Sequence, residues 1–129
     1  MKNPIFTWIV KLIAVIILVQ TLYFKFTGAE ESVYIFTKLG IEPFGRIGSG
    51  IGELIASILI LIPRTTLLGA LMGAGTMLGA IFSHLFVLGI VVKNDGGELF
   101  ILAIITLLCC TILIIQNRNK IPDLLKLKL

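Results

Sequence analysis

Five polar side chains stand out in an otherwise apolar chain, and they are of types that bind ligands or move protons. Glu53 lies in the middle of the apolar run 46–63, His84 is the only histidine, and Gln20, Lys25 and Arg46 lie nearby in the pattern. A carboxylate beside an imidazole can relay a proton. Together with cationic and amide groups, the pair can bind a headgroup or a quinone carbonyl. The alternative is a structural role, in which these groups form a buried polar network that fixes the register of packed helices.

The composition indicates that these residues are held by membrane-spanning helices. Of the 129 residues, 57% are hydrophobic and only 14% are charged. About 20 consecutive apolar residues are enough for one span. We therefore predict an all-α integral membrane four-helix bundle in one domain covering 1–129. The spans are expected at about 8–26, 44–62, 66–92 and 97–115, followed by a basic tail, 117–129, on the membrane surface.

The link between the first two spans is polar and short. Thr27-Gly-Ala-Glu30 has the pattern of a capping box, which predicts a helix over about 29–39 that ends at Gly40. Its length and apolar face favour an interfacial helix over a fifth span. The segment Ile41-Glu-Pro43 is expected to be extended, because the residue before a proline avoids the helical region.

Helical periodicity predicts which side chains face the interior. Lys11 and Gln20 fall on opposite sides of the first helix, and the Gln20 side is expected to face the bundle. On the third helix, His84 shares a face with Gly73 and Met77, so the histidine is expected to point toward another helix. On the second helix, one narrow stripe holds Arg46, Ser49, Glu53 and Ser57.

Depth brings three of these groups to one layer. Glu53 lies roughly 13 Å along the second span and His84 about 12 Å from the end of the third, at 1.5 Å per residue. Gln20 lies at a comparable depth in the first span. We expect Glu53 and His84 to face each other within reach of a hydrogen bond or a single water, with Lys25 or Arg46 above them favouring ionised Glu53.

Other kinds of site find little support in the sequence. The net charge of +4 is concentrated at membrane flanks, which disfavours nucleic acid as a partner. Cys109 and Cys110 are adjacent and are interpreted as small packing residues. We find no haem or metal motif, no nucleotide-binding loop and no nucleophile–base pattern. Glycines spaced four apart in the third span predict close helix packing or association of copies of the chain.

The distribution of cations predicts the orientation in the membrane. Four spans place both termini on one side, which also carries most of the cations: Lys2, Lys11, Arg64, Arg118, Lys120, Lys126 and Lys128. The other side carries Lys25, Lys38, Arg46 and Lys93 among five acids. The positive-inside rule therefore predicts a protein of the cytoplasmic (inner) membrane with both termini in the cytoplasm.

Several short motifs together resemble those of the DoxX family of small four-helix membrane proteins, over roughly residues 8–115. They are Lys25-Phe26, Leu39-Gly-Ile-Glu-Pro43, Gly52-Glu53-Leu54, Ala80-Ile-Phe-Ser-His84 and Gly96-Gly-Glu98. Members of this family include a subunit of thiosulfate:quinone oxidoreductase and membrane parts of redox-defence complexes. The resemblance implies an accessory rather than catalytic subunit of membrane redox or oxidative-stress chemistry, with quinone or lipid as ligand and an oxidoreductase as partner. The alternatives are a small transporter or lipid-handling protein, and a structural membrane anchor.

Overall fold

Helices make up most of the part of the chain that the structure describes. The computed structural model describes residues 3–92 and 95–126, and within them there is no strand. The elements are α1 Pro4–Thr27, α2 Glu30–Lys38, α3 Phe44–Leu61, α4 Thr66–Ser83 with a π-helical continuation His84–Leu88, α5 Glu98–Gln116 and the short α6 Ile121–Leu125. Four of these segments, α1, α3, α4 with its flanking turns, and α5, are long and apolar enough to cross a membrane.

The four long helices form an all-α bundle, as the sequence predicts. Helix α1 packs against α3 and α5, and α4 packs against the same two helices, so α1 and α4 lie diagonally opposite. The Thr7 hydroxyl donates to Oε1 of Gln116 at 3.0 Å, which joins the start of α1 to the end of α5. The bundle core includes Val10, Ala14, Leu18, Ile60, Ala70 and Leu113.

Glycine permits the closest contact in the bundle, between α3 and α4. A Cβ atom on Gly69 would lie 2.6 Å from the backbone nitrogen of Ile60 and 2.8 Å from the carbonyl oxygen of Ala56. The two backbones therefore touch at this point. The short turn Pro63–Thr65 brings the helices back on each other, and the Thr66 hydroxyl donates to the carbonyl of Ile60 at 2.9 Å.

Gly73 plays the same role between α4 and α5, whereas the next glycines do not. A Cβ on Gly73 would lie 2.9 Å from Sγ of Cys110, while Gly75 and Gly79 have open space around them. Close packing through glycine is thus confirmed within the chain only for the first pair. Cys110 and its neighbour Cys109 are free and buried, in agreement with a packing role.

Helix α1 presents to the bundle the side opposite to the expected one. Lys11 is only 4% exposed, and its Nζ lies 4.5 Å from the centroid of the Trp8 ring. Tyr23 is 69% exposed, and Gln20 and Thr27 are exposed on the same side. The prediction failed because it followed the polar residues, whereas Val10, Ala14, Leu18 and Leu22 fit against the neighbouring helices.

Helix α4 ends earlier than predicted. Its α-helical part stops at Ser83 and its π-helical turn at Leu88, because Gly89 adopts a φ of +82°. The expected continuation to Val92 is therefore wrong. His84 opens the π-helical turn, so it lies about one turn rather than two from the end of the span.

Helix α2 lies across one end of the bundle, where it contacts α1, α3 and the π-helical turn. Its start has no side-chain cap, since the Thr27 hydroxyl donates instead to the carbonyl of Tyr23 within α1, so the predicted capping box is wrong. Glu42 and Pro43 lie in a turn with a cis bond between them rather than in an extended segment. The topology signals Lys2, Lys93 and Lys128 lie outside the described residues.

Candidate functional site

A cavity of about 650 Å³ lies between the long helices beneath α2. Most of its wall is apolar, with side chains such as Ile17 and Leu102. Polar side chains from three different spans meet in it: Lys25 from α1, Glu53 from α3 and His84 from α4. Pockets of this size with a few convergent polar groups are the usual form of small-molecule sites.

Glu53 is the buried centre of this site. Its side chain is 3% exposed. One carboxylate oxygen accepts a hydrogen bond from the Thr21 hydroxyl at 3.0 Å, and the other forms an ion pair with the Lys25 ammonium. The Ser57 hydroxyl donates to the Glu53 backbone carbonyl at 2.8 Å. The inward stripe predicted on α3 is confirmed, and the carboxylate has the partner that its burial requires.

Lys25 reaches Glu53 because of its position on α1. Thr21 and Lys25 are one helical turn apart and share a face, so both side chains point at the same carboxylate. The Lys25 side chain is 15% exposed, and its Nζ lies 5.6 Å from the centroid of the Phe36 ring on α2. Helix α2 thus covers the ion pair, and the prediction that a cation reaches Glu53 holds for Lys25.

Arg46 does not reach Glu53. Its Nε donates to both carboxylate oxygens of Glu42, at 2.9 and 3.1 Å, and its Nη1 donates to the backbone carbonyl of Lys25. A guanidinium at the carboxyl end of a helix is favoured by the helix dipole. Arg46 therefore holds the end of α1, which positions Lys25.

His84 is held by a backbone contact in its own turn. The side chain is 5% exposed, and its Nδ1 lies 3.0 Å from the Gly89 carbonyl oxygen. The Gly89 N–H donates back to the His84 carbonyl at 2.7 Å. The ring also packs edge-on against Phe100 of α5, with the centroids 5.6 Å apart. These contacts fix the imidazole in the cavity wall.

Glu53 and His84 share the cavity but not a hydrogen bond. Among the described residues, Glu53 is bonded to Thr21 and Lys25, and His84 is bonded to Gly89. The direct contact allowed by the sequence analysis is therefore not formed. Contact through a water or a ligand stays a prediction.

Sequence reasoning missed one polar group of the site. Gln20 contributes to the cavity lining but is exposed, whereas its neighbour Thr21 makes the hydrogen bond to Glu53. The missed signal was the spacing of Thr21 and Lys25, which places both on one face with the apolar Leu18 and Leu22.

Asp95 closes the site at the start of α5. Its carboxylate accepts from the backbone N–H groups of Val92 at 3.0 Å, Gly97 at 2.8 Å and Leu99 at 3.3 Å. Partial burial raises the pKa of Asp95, but these three hydrogen bonds and the nearby His84 together outweigh it and leave the pKa below its ordinary value. Asp95 thus holds the turn that leads into α5, whose N-cap residue is Gly97.

Negative groups outnumber positive ones in the lining. Besides Glu53, the acidic residues Glu31, Asp95 and Glu98 line the cavity, against one basic residue, Lys25. In residues 3–92 and 95–126, no three His, Cys, Asp or Glu side chains are grouped as a metal ion requires. The lining thus offers hydrogen-bond acceptors and one ammonium donor to an organic ligand.

The fold and this cavity define a class of protein: a small four-helix membrane protein with a polar layer under an end helix. A family model, DoxX, matches residues 6–86, well over half of the chain. The chain belongs to the DoxX family, and the matched segment holds Lys25, Glu53 and His84. No curated protein and no solved structure matched the chain.

Proposed function

We propose that this protein is an accessory, non-catalytic membrane subunit that binds a membrane quinone in the cavity beneath α2. The observation that carries the proposal is the combination of an apolar cavity of about 650 Å³ with a Lys25–Glu53 pair and a histidine in its wall. The apolar wall suits a quinone ring and the first part of its tail. The polar groups suit the oxygen atoms of the ring.

The Lys25 ammonium has the capacity to bind such a ligand. An ammonium has three N–H donors, and the ion pair with Glu53 uses one of them. A carbonyl oxygen of a quinone accepts from another. A hydrogen bond donated by an ammonium is stronger than one donated by a neutral group.

Association with an oxidoreductase and the orientation in the membrane are part of the same proposal. A subunit without catalytic groups of its own would deliver or hold quinone for a partner enzyme. The excess of cations near the termini supports a cytoplasmic location of both termini in the inner membrane.

The test fills the cavity without disturbing the bundle. Gly79 lines the cavity, and a Cβ added to it has no atom within 4 Å. Gly75 is equally open, lies one turn away on the same helix and does not line the cavity. The variants Gly79→Leu and Gly75→Leu are therefore a matched pair that adds the same side chain inside and outside the cavity.

Purified protein in mild detergent is titrated with ubiquinone-1, and lipids extracted from the protein are identified by mass spectrometry. We expect the parent and Gly75→Leu to bind ubiquinone-1 and to retain quinone on extraction, and Gly79→Leu to lose at least ten-fold in affinity. If Gly79→Leu binds ubiquinone-1 as tightly as Gly75→Leu does, the cavity is not the quinone site and the proposal is overturned. If the parent does not bind ubiquinone-1 and the extracts contain only phospholipid, the result favours lipid handling or anchoring instead.

A further inference from the structure

The hydrogen bond of His84 determines which ring nitrogen carries the proton. Nδ1 lies 3.0 Å from the Gly89 carbonyl oxygen, and a carbonyl oxygen only accepts. Nδ1 must therefore be the donor. In the neutral imidazole, the other nitrogen, Nε2, is then an acceptor without a proton.

Nε2 is available to the contents of the cavity. The His84 side chain lines the cavity, and its Nε2 makes no hydrogen bond to any residue in 3–92 or 95–126. In this part of the protein, every side-chain nitrogen or oxygen with no accessible surface has a hydrogen-bond partner. Because Nε2 has no partner there, it must retain some accessible surface. It is therefore an unpartnered acceptor on a side chain that is only 5% exposed.

Among the charged residues of the lining, acids also outnumber bases. Glu31, Glu53, Asp95 and Glu98 line the cavity together with one lysine, Lys25, which is already paired with Glu53. The hydroxyls of Thr76 and Ser83 already donate to backbone carbonyls of their own helix. A quinone ring offers two carbonyl oxygens, which accept and do not donate. A quinol offers two hydroxyl groups, and each can donate a hydrogen bond as well as accept one.

Resting on the proposed function, we propose that the cavity binds the reduced quinol more tightly than the oxidised quinone, with His84 Nε2 accepting a hydrogen bond from a quinol hydroxyl. A quinone in the same position leaves Nε2 without a partner and brings two acceptors together. The bound ligand is therefore held mainly in its reduced form. His84 acts as a specificity-determining residue, and Gly89 positions it.

The experiment compares ubiquinone-1 and ubiquinol-1 binding to the purified full-length protein under anaerobic conditions at pH 8. We expect the parent protein to bind ubiquinol-1 about ten-fold more tightly, which corresponds to the cost of one unsatisfied buried acceptor. For a two-electron couple, this ratio raises the midpoint potential of the bound ligand by about 30 mV.

Variants identify the group responsible. His84→Leu should bind both forms with equal affinity, and His84→Gln, which retains an acceptor, should recover part of the preference. Thr76→Val is the matched control, since the Thr76 hydroxyl lines the same wall but already donates to the Met72 carbonyl at 2.9 Å. It should keep the full preference.

The outcomes separate this inference from the proposed function. Equal affinities in the parent protein, or tighter binding of ubiquinone-1, would overturn the quinol preference and leave the quinone site intact. Binding of neither form would overturn both. The measurement on the parent protein decides between these outcomes even if a histidine variant fails to fold.

Discussion

Replacing one member of the Lys25–Glu53 pair should destabilise the bundle much more than replacing both. The Glu53 side chain is 3% exposed and that of Lys25 is 15% exposed, so either charge is left buried when its partner is removed. Such a loss costs about 3–5 kcal/mol, whereas an apolar pair of similar size is often neutral. We expect the lower end of this range, about 3 kcal/mol, for each of Glu53→Leu and Lys25→Met because Lys25 lines the cavity.

A double-mutant cycle measures this coupling. Unfolding of the parent, both single variants and the double variant is followed by titration with denaturing detergent. The double variant should lie within about 1 kcal/mol of the parent, which gives a coupling energy of about 5 kcal/mol. Thr21 does not complicate the cycle, since its hydroxyl proton can turn to the Leu18 carbonyl, 2.8 Å away, when Glu53 is replaced.

Two further measurements make the cycle specific. Ser49→Ala, one turn from Glu53 on the same side of α3, should change stability by less than about 0.5 kcal/mol. A second cycle with Glu53→Leu and His84→Leu should show much weaker coupling in ligand-free protein, because the two side chains have different hydrogen-bond partners among the described residues. Additive effects for Lys25 and Glu53 would refute the assignment of the ion pair.

Three other predictions follow from the fold. Gly69→Ala should destabilise the bundle by about 1–3 kcal/mol through a backbone clash with Ile60, whereas Gly75→Ala should not lower the midpoint of detergent unfolding; equal midpoints would contradict the close contact. Asp95 has a lowered pKa, so its contribution to stability is present above the ordinary value of 3.8 and is lost as pH falls below it; the stability difference between the parent and Asp95→Asn should shrink with acid, and a constant difference would contradict this. A reporter fused to the C-terminus should be active in the cytoplasm and one inserted in Glu30–Lys38 outside; the reverse pattern would invert the orientation.

The sequence predicts the architecture well because a single physical constraint determines it. A helix that crosses a bilayer must be apolar over about 20 residues. Apolar segments of this length are recognised in the sequence without any knowledge of tertiary contacts. The buried stripe of Glu53 and Ser57 was predictable for a related reason, since a carboxylate does not face lipid at low cost.

The details of the site depend on contacts that periodicity does not contain. The apolar fit of α1 decided that Thr21 rather than Gln20 faces Glu53. The conformation of Gly89, with its φ of +82°, ended α4 early and turned the His84 imidazole to its own backbone. Arg46 and Lys25 were equal candidates by sequence, and only the fold pairs Arg46 with Glu42.

The most direct test of the central claim, a quinone site beneath α2, is to label the protein with a photoreactive azidoquinone and map the modified residues by mass spectrometry. We predict labels on the cavity-facing residues of α2, such as Phe36, and on the π-helical turn at Leu88, and we predict that excess ubiquinone-1 suppresses them. Labels confined to side chains on the outer face of α1, such as Ile16 and Val19, and insensitive to ubiquinone-1, would contradict the account.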